Sequence, residues 1–398
     1  MLIKVNPRLL EQEVLEVIKG SLAKDEKIEV GGSKGFDFFL PNGLKKMHWP
    51  HNTYIEVKYK LIFNSLERIV NQYKEKSVSK LIVVVVDEES AFFYRKYAAK
   101  YELEIKSLND IKKELDWLGN NELSKEKSKI YKEIWKLAKN KVQHNTISLF
   151  LGAGVSASSG VVTWDSLLEQ LCIKKGIAKI DSDIDSTIKG RFIIDKYKEN
   201  GKITDAFYDD MKDILYSKNN EASKLIQSIA NIAKKENVES VVTYNYDDLL
   251  EQYIKSNCSR SCSSIYGNSR LENEGDLPVY HVHGYIPKIG DSSKIVLGER
   301  EYHEIYQDAY DWGNVEQLHA LTRNTCIFIG LSMKDPNLRR LLDISVQQDS
   351  EHEAVHFAFL RRIEYDVPFM ETNMREFGIN CIWYDNHSDL PQMLEDLI

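Results

Sequence analysis

Residues 149–160 read LFLGAGVSASSG, with an apolar run from Ile147 to Leu151 feeding straight into a turn of glycine, alanine and serine. A short apolar run bounded by glycine is the pattern of a buried strand, and a helix is expected from about Trp164. Small residues at such a turn let main-chain N–H groups reach a pyrophosphate, and a helix N-terminus adds partial positive charge. The spacing is not GxGxxG, and the glycines alone would also suit a simple tight turn. A strand–turn–helix unit of this kind nevertheless commits the second half of the chain to an α/β architecture.

The downstream pattern agrees. Apolar strands are expected at 240–244, 279–283, 294–297, 325–330, 355–360 and 379–384, alternating with helical stretches. Such alternation gives a mostly parallel, Rossmann-like sheet with helices on both faces. Between the first two strands lie residues 165–238, which read as helical and are too long for one crossover, so an inserted helical subdomain is expected to cap the site. At 398 residues the chain exceeds a usual single domain. The boundaries are placed at 1–106 for a smaller α/β domain, 107–143 for a helical connector with Ile130, Ile134 and Leu137 on one face, and 144–398 for the larger domain.

Three further blocks follow the glycine turn: VVTYNYDDLLE (241–251), YHVHGY (280–285) and FIGLSMKDPNLRRLL (328–342). Asn245 and Asp247 come just after an apolar strand, where α/β sites form. An amide and a carboxylate two residues apart can hold ribose hydroxyls, a carboxamide or a water, although either could equally cap the helix at Asp248 to Tyr253. His283 is read as ending a strand before Gly284, and a histidine of near-neutral pKa suits proton transfer. Strand alternation would place His281 and His283 on one face, with no third metal ligand nearby.

GAGxS, then TxNxD, then a strand ending in His-Gly, then GxS, in that order over roughly residues 145–345, resembles the sirtuin family of NAD-consuming enzymes. The resemblance implies that Asn245 and His283 are catalytic. It also implies that Gly152, Ala153, Gly154, Ser156, Asp247, Gly330 and Ser332 hold NAD, with Asp335 just beyond the last turn. The two CxxC pairs of protein-deacylating sirtuins are missing, Cys258 and Cys262 have the wrong spacing, and no zinc is expected. GVVTWDSLLEQL also lacks the deacylases' arginine. The chain looks instead like the zinc-less sirtuin-like proteins of bacterial antiphage systems, which implies hydrolysis of NAD to nicotinamide and ADP-ribose. The competing readings are an NAD-dependent deacylase or ADP-ribosyl transferase, and a non-enzymatic NAD or ADP-ribose sensor. Proteins with this arrangement act as homo-oligomers, and some are encoded beside a ring-shaped ATPase, so both kinds of partner are expected.

In the first domain, GFDFFLP (35–41) and YIEVKYK (54–60) place Asp37 on one strand and Glu56 and Lys58 on one face of the next. Two carboxylates can hold Mg²⁺ and a lysine can orient an attacking water. With Glu11 or Glu13 upstream, this resembles the D…ExK pattern of restriction-endonuclease-like domains, which implies DNA as a ligand. A surface ion pair explains the same residues more plainly. Charge permits either, because residues 1–140 carry 26 basic against 21 acidic side chains and the remainder 27 against 40, so +5 and −13 sum to −8. A balance of +5 is a weak electrostatic footprint for DNA. No apolar run is long enough to span a bilayer and no secretory leader is read, so a cytoplasmic location is expected.

Overall fold

The structure, a computed structural model, describes residues 7–31, 36–59, 61, 63–73, 78–86, 91, 93–95, 103–115, 122–181, 183–218, 221–267, 269–308, 310–346 and 355–398. It divides into two compact units, one of residues 2–133 with 363–366 and the other of 134–362 with 367–398.

The first unit is built on a five-stranded sheet in sequential order: β1 (Glu29–Val30), β2 (Phe38–Leu40), β3 (Thr53–Lys58), β4 (Lys80–Val85) and β5 (Glu104–Ser107). β1, β2 and β3 pair antiparallel, while β3, β4 and β5 pair parallel. Side-chain alternation sorts the strands between two cores. Ile55, Val57, Ile82 and Val84 meet Val14, Val17 and Ile18 of the helix Pro7–Lys19. Leu81, Val83 and Val85 meet Leu66, Ile69 and Tyr73 of the helix Phe63–Tyr73. Each of these buried aliphatic side chains contributes roughly 1.5–3 kcal/mol. The helix expected over about 90–100 falls largely outside the described residues.

The second unit carries a seven-stranded sheet in the order β10-β11-β9-β6-β12-β13-β14. The strands are β6 (Ile147–Leu151), β9 (Val238–Thr243), β10 (Cys262–Ile265), β11 (Leu277–His281), β12 (Thr325–Ile329), β13 (His356–Arg361) and β14 (Ile379–Tyr384). Every pairing in it is parallel. The first strand lies at the centre, and the chain builds outward to β9 on one side and to β12 on the other. Loops leaving neighbouring strands in opposite directions open a crevice at the carboxyl ends.

Several expectations need correction. Residues 108–115 are no connector: Leu108, Ile111 and Leu115 are buried in the first unit's core. In the helix Glu122–His144 the apolar spacing misleads, because Ile130 and Leu137 are 43% and 38% exposed while Ala138 and Val142 are buried. The insertion between β6 and β9 holds the helices Trp164–Lys175, Ser186–Lys196, Asp205–Leu215 and Lys224–Ala233, but also a hairpin of β7 (Lys198–Glu199) and β8 (Lys202–Ile203). A helix starts at Ala153, directly after the glycine turn, well before the one at Trp164. Residues 294–297 join no ladder. Val296 N–H instead donates to the carbonyl of His283 at 2.8 Å. β10 was not anticipated, since CSSI has little apolar length to announce it. Among the described residues no helix is long and apolar enough to cross a membrane.

Candidate functional site

The loops that follow β11, β9, β6 and β12 are neighbours, and they carry the residues singled out above. The crevice floor is main chain. Gly152 N–H donates to Ile329 O and Gly154 N–H to Gly330 O, both at 3.0 Å. A Cβ on Gly152 would stand 2.5 Å from Gly330 O, and Gly330, at φ +67°, would set one 2.7 Å from Val155 N. Glycine is required on both sides of this contact. Ala153, Gly154 and Ser332 are exposed, whereas Ser156 is buried.

Ser156 turns toward Asp247 and hydrogen-bonds its carboxyl. Asp247 Oδ1 also accepts from Leu249 N–H at 3.3 Å, while the helix Leu249–Asn257 has Asp248 at its N-cap position and no side-chain cap. Burial pushes the Asp247 carboxyl up to about 6, against the pull of those two bonds. Asn245 is fixed by its side-chain Nδ2, which donates to Gly152 O at 3.1 Å, and by its own N–H on Thr243 Oγ1 at 3.1 Å. The asparagine loop is thereby tied to the glycine turn.

The two histidines part company. β11 ends at His281, so His283 lies beyond the strand and alternation does not apply to it. His281 is fully buried, with Nδ1 3.1 Å from Asn245 O and Nε2 2.5 Å from Glu251 Oε1. Burial alone would lower its pKa, but Glu251 and the Asn245 carbonyl together raise it. It supports the asparagine loop as one half of a buried hydrogen-bonded pair with Glu251. His283 is 3% exposed, and its Nε2 has no hydrogen-bond partner. Burial holds its pKa below the usual histidine value, with Asp335 opposing. A neutral imidazole at pH 7 is able to take a proton.

The wall around His283 was missed. Tyr244, Tyr302 and Trp164 meet its ring edge to face at centroid distances of 4.7, 5.6 and 6.4 Å. Trp164 lies nearly parallel to Tyr302, at an interplanar angle of 8°. Buried Thr163 Oγ1 and Trp164 Nε1 also lack partners. Such atoms are costly unless something else meets them. The tyrosine in TYNYD and the tryptophan closing the GVVTW stretch were the available signals, whereas Tyr302 sits on a helix (Glu299–Gln307) that no motif marked. Asp335 stands beside His283, with Oδ2 3.6 Å from Nε2.

The insertion contributes Trp164 and one more tie, Tyr216 OH donating to Asp248 Oδ1 at 2.6 Å. The cysteines are all free, and burial lifts the Cys262 thiol to about 12. Among the described residues, no group of three or more His, Cys, Asp or Glu is placed to hold a metal ion.

The first unit does bring Asp37, Glu56 and Lys58 together. Lys58 Nζ lies 2.6 Å from Glu56 Oε2 and 3.6 Å from Asp37 Oδ2. Tyr73 OH donates to Glu56 Oε1 at 2.5 Å, and Val57 N–H to Asp37 Oδ2 at 2.7 Å. Burial and the Glu56 charge raise Asp37 to about 6. Of the two upstream acids, Glu11 adds to that repulsion, while Glu13 is paired with Lys112 at 2.6 Å.

Comparison with known proteins bears on the second unit. Two relatives named NAD(+) hydrolase ThsA are 23% identical over 279 residues (Enterococcus faecium) and 22% identical over 273 (Acinetobacter baumannii, strain 532279). Each alignment covers 64% of this chain, and 56% and 54% of the respective relative. The chain thus spans about half the length of the curated relatives it matches. A solved chain described as "Structural Basis for the Mechanism and Regulation of Sir2 Enzymes" aligns over 67% of this chain and 96% of its own. Its TM-score is 0.37 at 17% identity, a likeness too remote to bear on the fold. Residues 239–382 match the SIR2-like domain, a stretch that includes Asn245, Asp247, His283, Gly330 and Ser332.

Proposed function

We propose that this chain hydrolyses NAD to nicotinamide and ADP-ribose. The observation that carries the reading is His283, a buried, neutral imidazole set in an aromatic wall, with Asn245 and Asp247 on the loop after the neighbouring strand. The NAD(+) hydrolases it resembles support the substrate and the reaction.

In this reading the bond between the nicotinamide-ribose C1′ and the pyridinium nitrogen breaks, and its electron pair neutralises the departing ring. A water oxygen bonds C1′ and gives its proton to His283. The leaving group is already cationic, so the protein has no acid to supply. Its task is to hold the dinucleotide, exclude bulk water and accept one proton. Asn245 gives one amide N–H to Gly152 O, which leaves its carbonyl oxygen and its second N–H to hold the water or a ribose hydroxyl. Gly152, Ala153, Gly154, Gly330 and Ser332 line the diphosphate and ribose, and Ser156 fixes Asp247 beneath them. The aromatic wall of Trp164, Tyr244 and Tyr302 suits a flat cationic ring. Incubating the full chain with NAD, with and without an acyl-lysine peptide, tests this. Equal release of nicotinamide and ADP-ribose without peptide is expected, and release that depends on the peptide would overturn it.

The same reading makes the protein a cytoplasmic antiphage effector that depletes NAD and acts as a homo-oligomer, alone or with a ring-shaped ATPase. For the first unit we propose a restriction-endonuclease-like site. Asp37 and Glu56 would hold Mg²⁺, with Lys58 beside the attacked phosphate. Burial first and the Glu56 charge second lift Asp37, and the second is of the kind a cation relieves, although Lys58 and Tyr73 now occupy both oxygens of Glu56. Bound there, the cation would polarise a phosphodiester and its attacking water. Mg²⁺-dependent cleavage of DNA, lost in Glu56→Ala, is the expected result. No cleavage with any divalent ion, even with a partner present, would reduce the unit to DNA contact or assembly.

A further inference from the structure

His283 is assigned the proton, yet a bare imidazole in an aromatic cage has nothing to choose its tautomer. The groups that face it are Tyr244 after β9, Tyr302 on the helix Glu299–Gln307, Trp164 on the helix Trp164–Lys175, and Asp335. Among the described residues, Asp335 is the one acidic group credited with acting on it. That carboxylate is itself pinned at both oxygens. Its Oδ1 accepts Leu338 N–H at 2.8 Å at the start of the helix Pro336–Val346, and its Oδ2 accepts Tyr302 OH at 2.7 Å.

Resting on the NAD reading, we propose that Asp335, held by Tyr302, is the positioning residue that sets the tautomer and basicity of His283. A carboxylate beside Nε2 favours the imidazole with its proton on that nitrogen, which leaves the lone pair on Nδ1 to accept the proton from water. The imidazolium so formed gains from the neighbouring carboxylate. At 3.6 Å the two are not yet hydrogen-bonded, and contacts of this kind tighten when a ligand closes the site. The Tyr302–Asp335 bond also joins the wall of the cage to its base, so a ligand pressing on Tyr302 moves the carboxylate with it.

The test is Asp335→Asn in the full chain. Asparagine keeps the oxygen that caps the helix and puts an amide N–H where Oδ2 stood, so Tyr302 OH turns from donor to acceptor and the melting temperature is expected to stay near wild type. Nitrogen-15 imidazole spectra report tautomer and pKa directly, with the His283 signal assigned by its loss in His283→Gln. In Asp335→Asn the His283 pKa is expected to fall by about one unit, and the preference for the Nε2–H tautomer to weaken. The kcat for NAD is expected to fall about tenfold or more with KM little changed, and the acid limb of the pH profile to move down with the pKa. Tyr302→Phe should shift the same signals less. If His283 titrates in Asp335→Asn as it does in the wild type, with the same tautomer, the pairing is wrong whatever happens to turnover. If the spectra change as expected while the wild type leaves NAD intact, the pairing stands and the hydrolase reading falls.

Discussion

The two units each gather carboxylates with a basic group, and they treat them in opposite ways. In the first, Lys58 and Tyr73 take the two oxygens of Glu56, and Val57 N–H and Lys58 attend Asp37, so the cluster answers its own charges. In the second, Asp247 and His283 are buried as well, yet His283 Nε2, Trp164 Nε1 and Thr163 Oγ1 are left without hydrogen-bond partners. Desolvating a polar atom without a partner costs about 1–3 kcal/mol. A fold that bears that cost at Trp164 Nε1 and Thr163 Oγ1, with His283 Nε2 facing Asp335 only at 3.6 Å, is arranged for something that arrives from outside. A cluster that satisfies itself contributes to its own fold first, and reaches a ligand only by breaking bonds it already has.

The sharpest way to break this contrast is by turnover. His283→Ala and Asn245→Ala are each expected to lower kcat/KM for NAD by about 10²–10⁴, with circular dichroism and melting unchanged. Glu56→Ala should leave that rate alone. An equal loss in all three would erase the distinction.

Next comes Asp247, whose folded-state pKa of about 6 lies above the ordinary carboxylate value. A raised carboxyl stabilises the fold below about pH 4, and that contribution is lost as pH rises through 6. Asp247→Asn should therefore match the wild type near pH 4 and exceed it near pH 8, by at most about 3 kcal/mol in denaturant titrations. A variant less stable at pH 8 would show that the charge is compensated after all. Asp37 is raised to the same value, but its neighbour Glu56 shares the cause with burial, so its pH effect should shrink in Glu56→Gln.

Gly152→Ala drives a methyl against Gly330 O and is expected to cost about 1–3 kcal/mol. Calorimetry should show nucleotide binding lost with it. Unchanged binding would mean that the floor yields. The smallest effect belongs to the self-satisfied cluster. Tyr73→Phe removes one of Glu56's partners and should lower stability by about 1 kcal/mol, read as a shift in the denaturation midpoint. A much larger loss would mean that this cluster is as exposed to orphaned charge as the other.

Much of this was legible in the residues because the information was local. A strand running into glycine, an Asn-x-Asp after a second strand and a His-Gly near a third each carry their geometry within a few positions, and the parallel sheet brings their ends together. What escaped was set by packing across distance. Nothing near Tyr302 says that it will face His283, and Asp335 is only a residue beyond the last glycine turn until the helix Glu299–Gln307 is laid against it. Ile130 and Leu137 have helical spacing, but the shorter Ala138 and Val142 are the ones the second unit's core accepts. Asp37, Glu56 and Lys58 were placed together correctly because β2 and β3 are adjacent and antiparallel, with Phe38 opposite Ile55. Tyr73, which completes the cluster, comes from a helix fifteen residues further on in the alternate core.

The contact between Gly152, Gly154 and Gly330 carries a lesson about where this crevice can change. A floor of bare backbone has no rotamers, so its outline is inherited from the register of β6 against β12 and is blind to drift in the surrounding side chains. Novelty in what the molecule accepts must then be written in the walls, on the inserted helices and around Tyr302. The floor keeps the common part of any ligand, and the walls are free to vary around it.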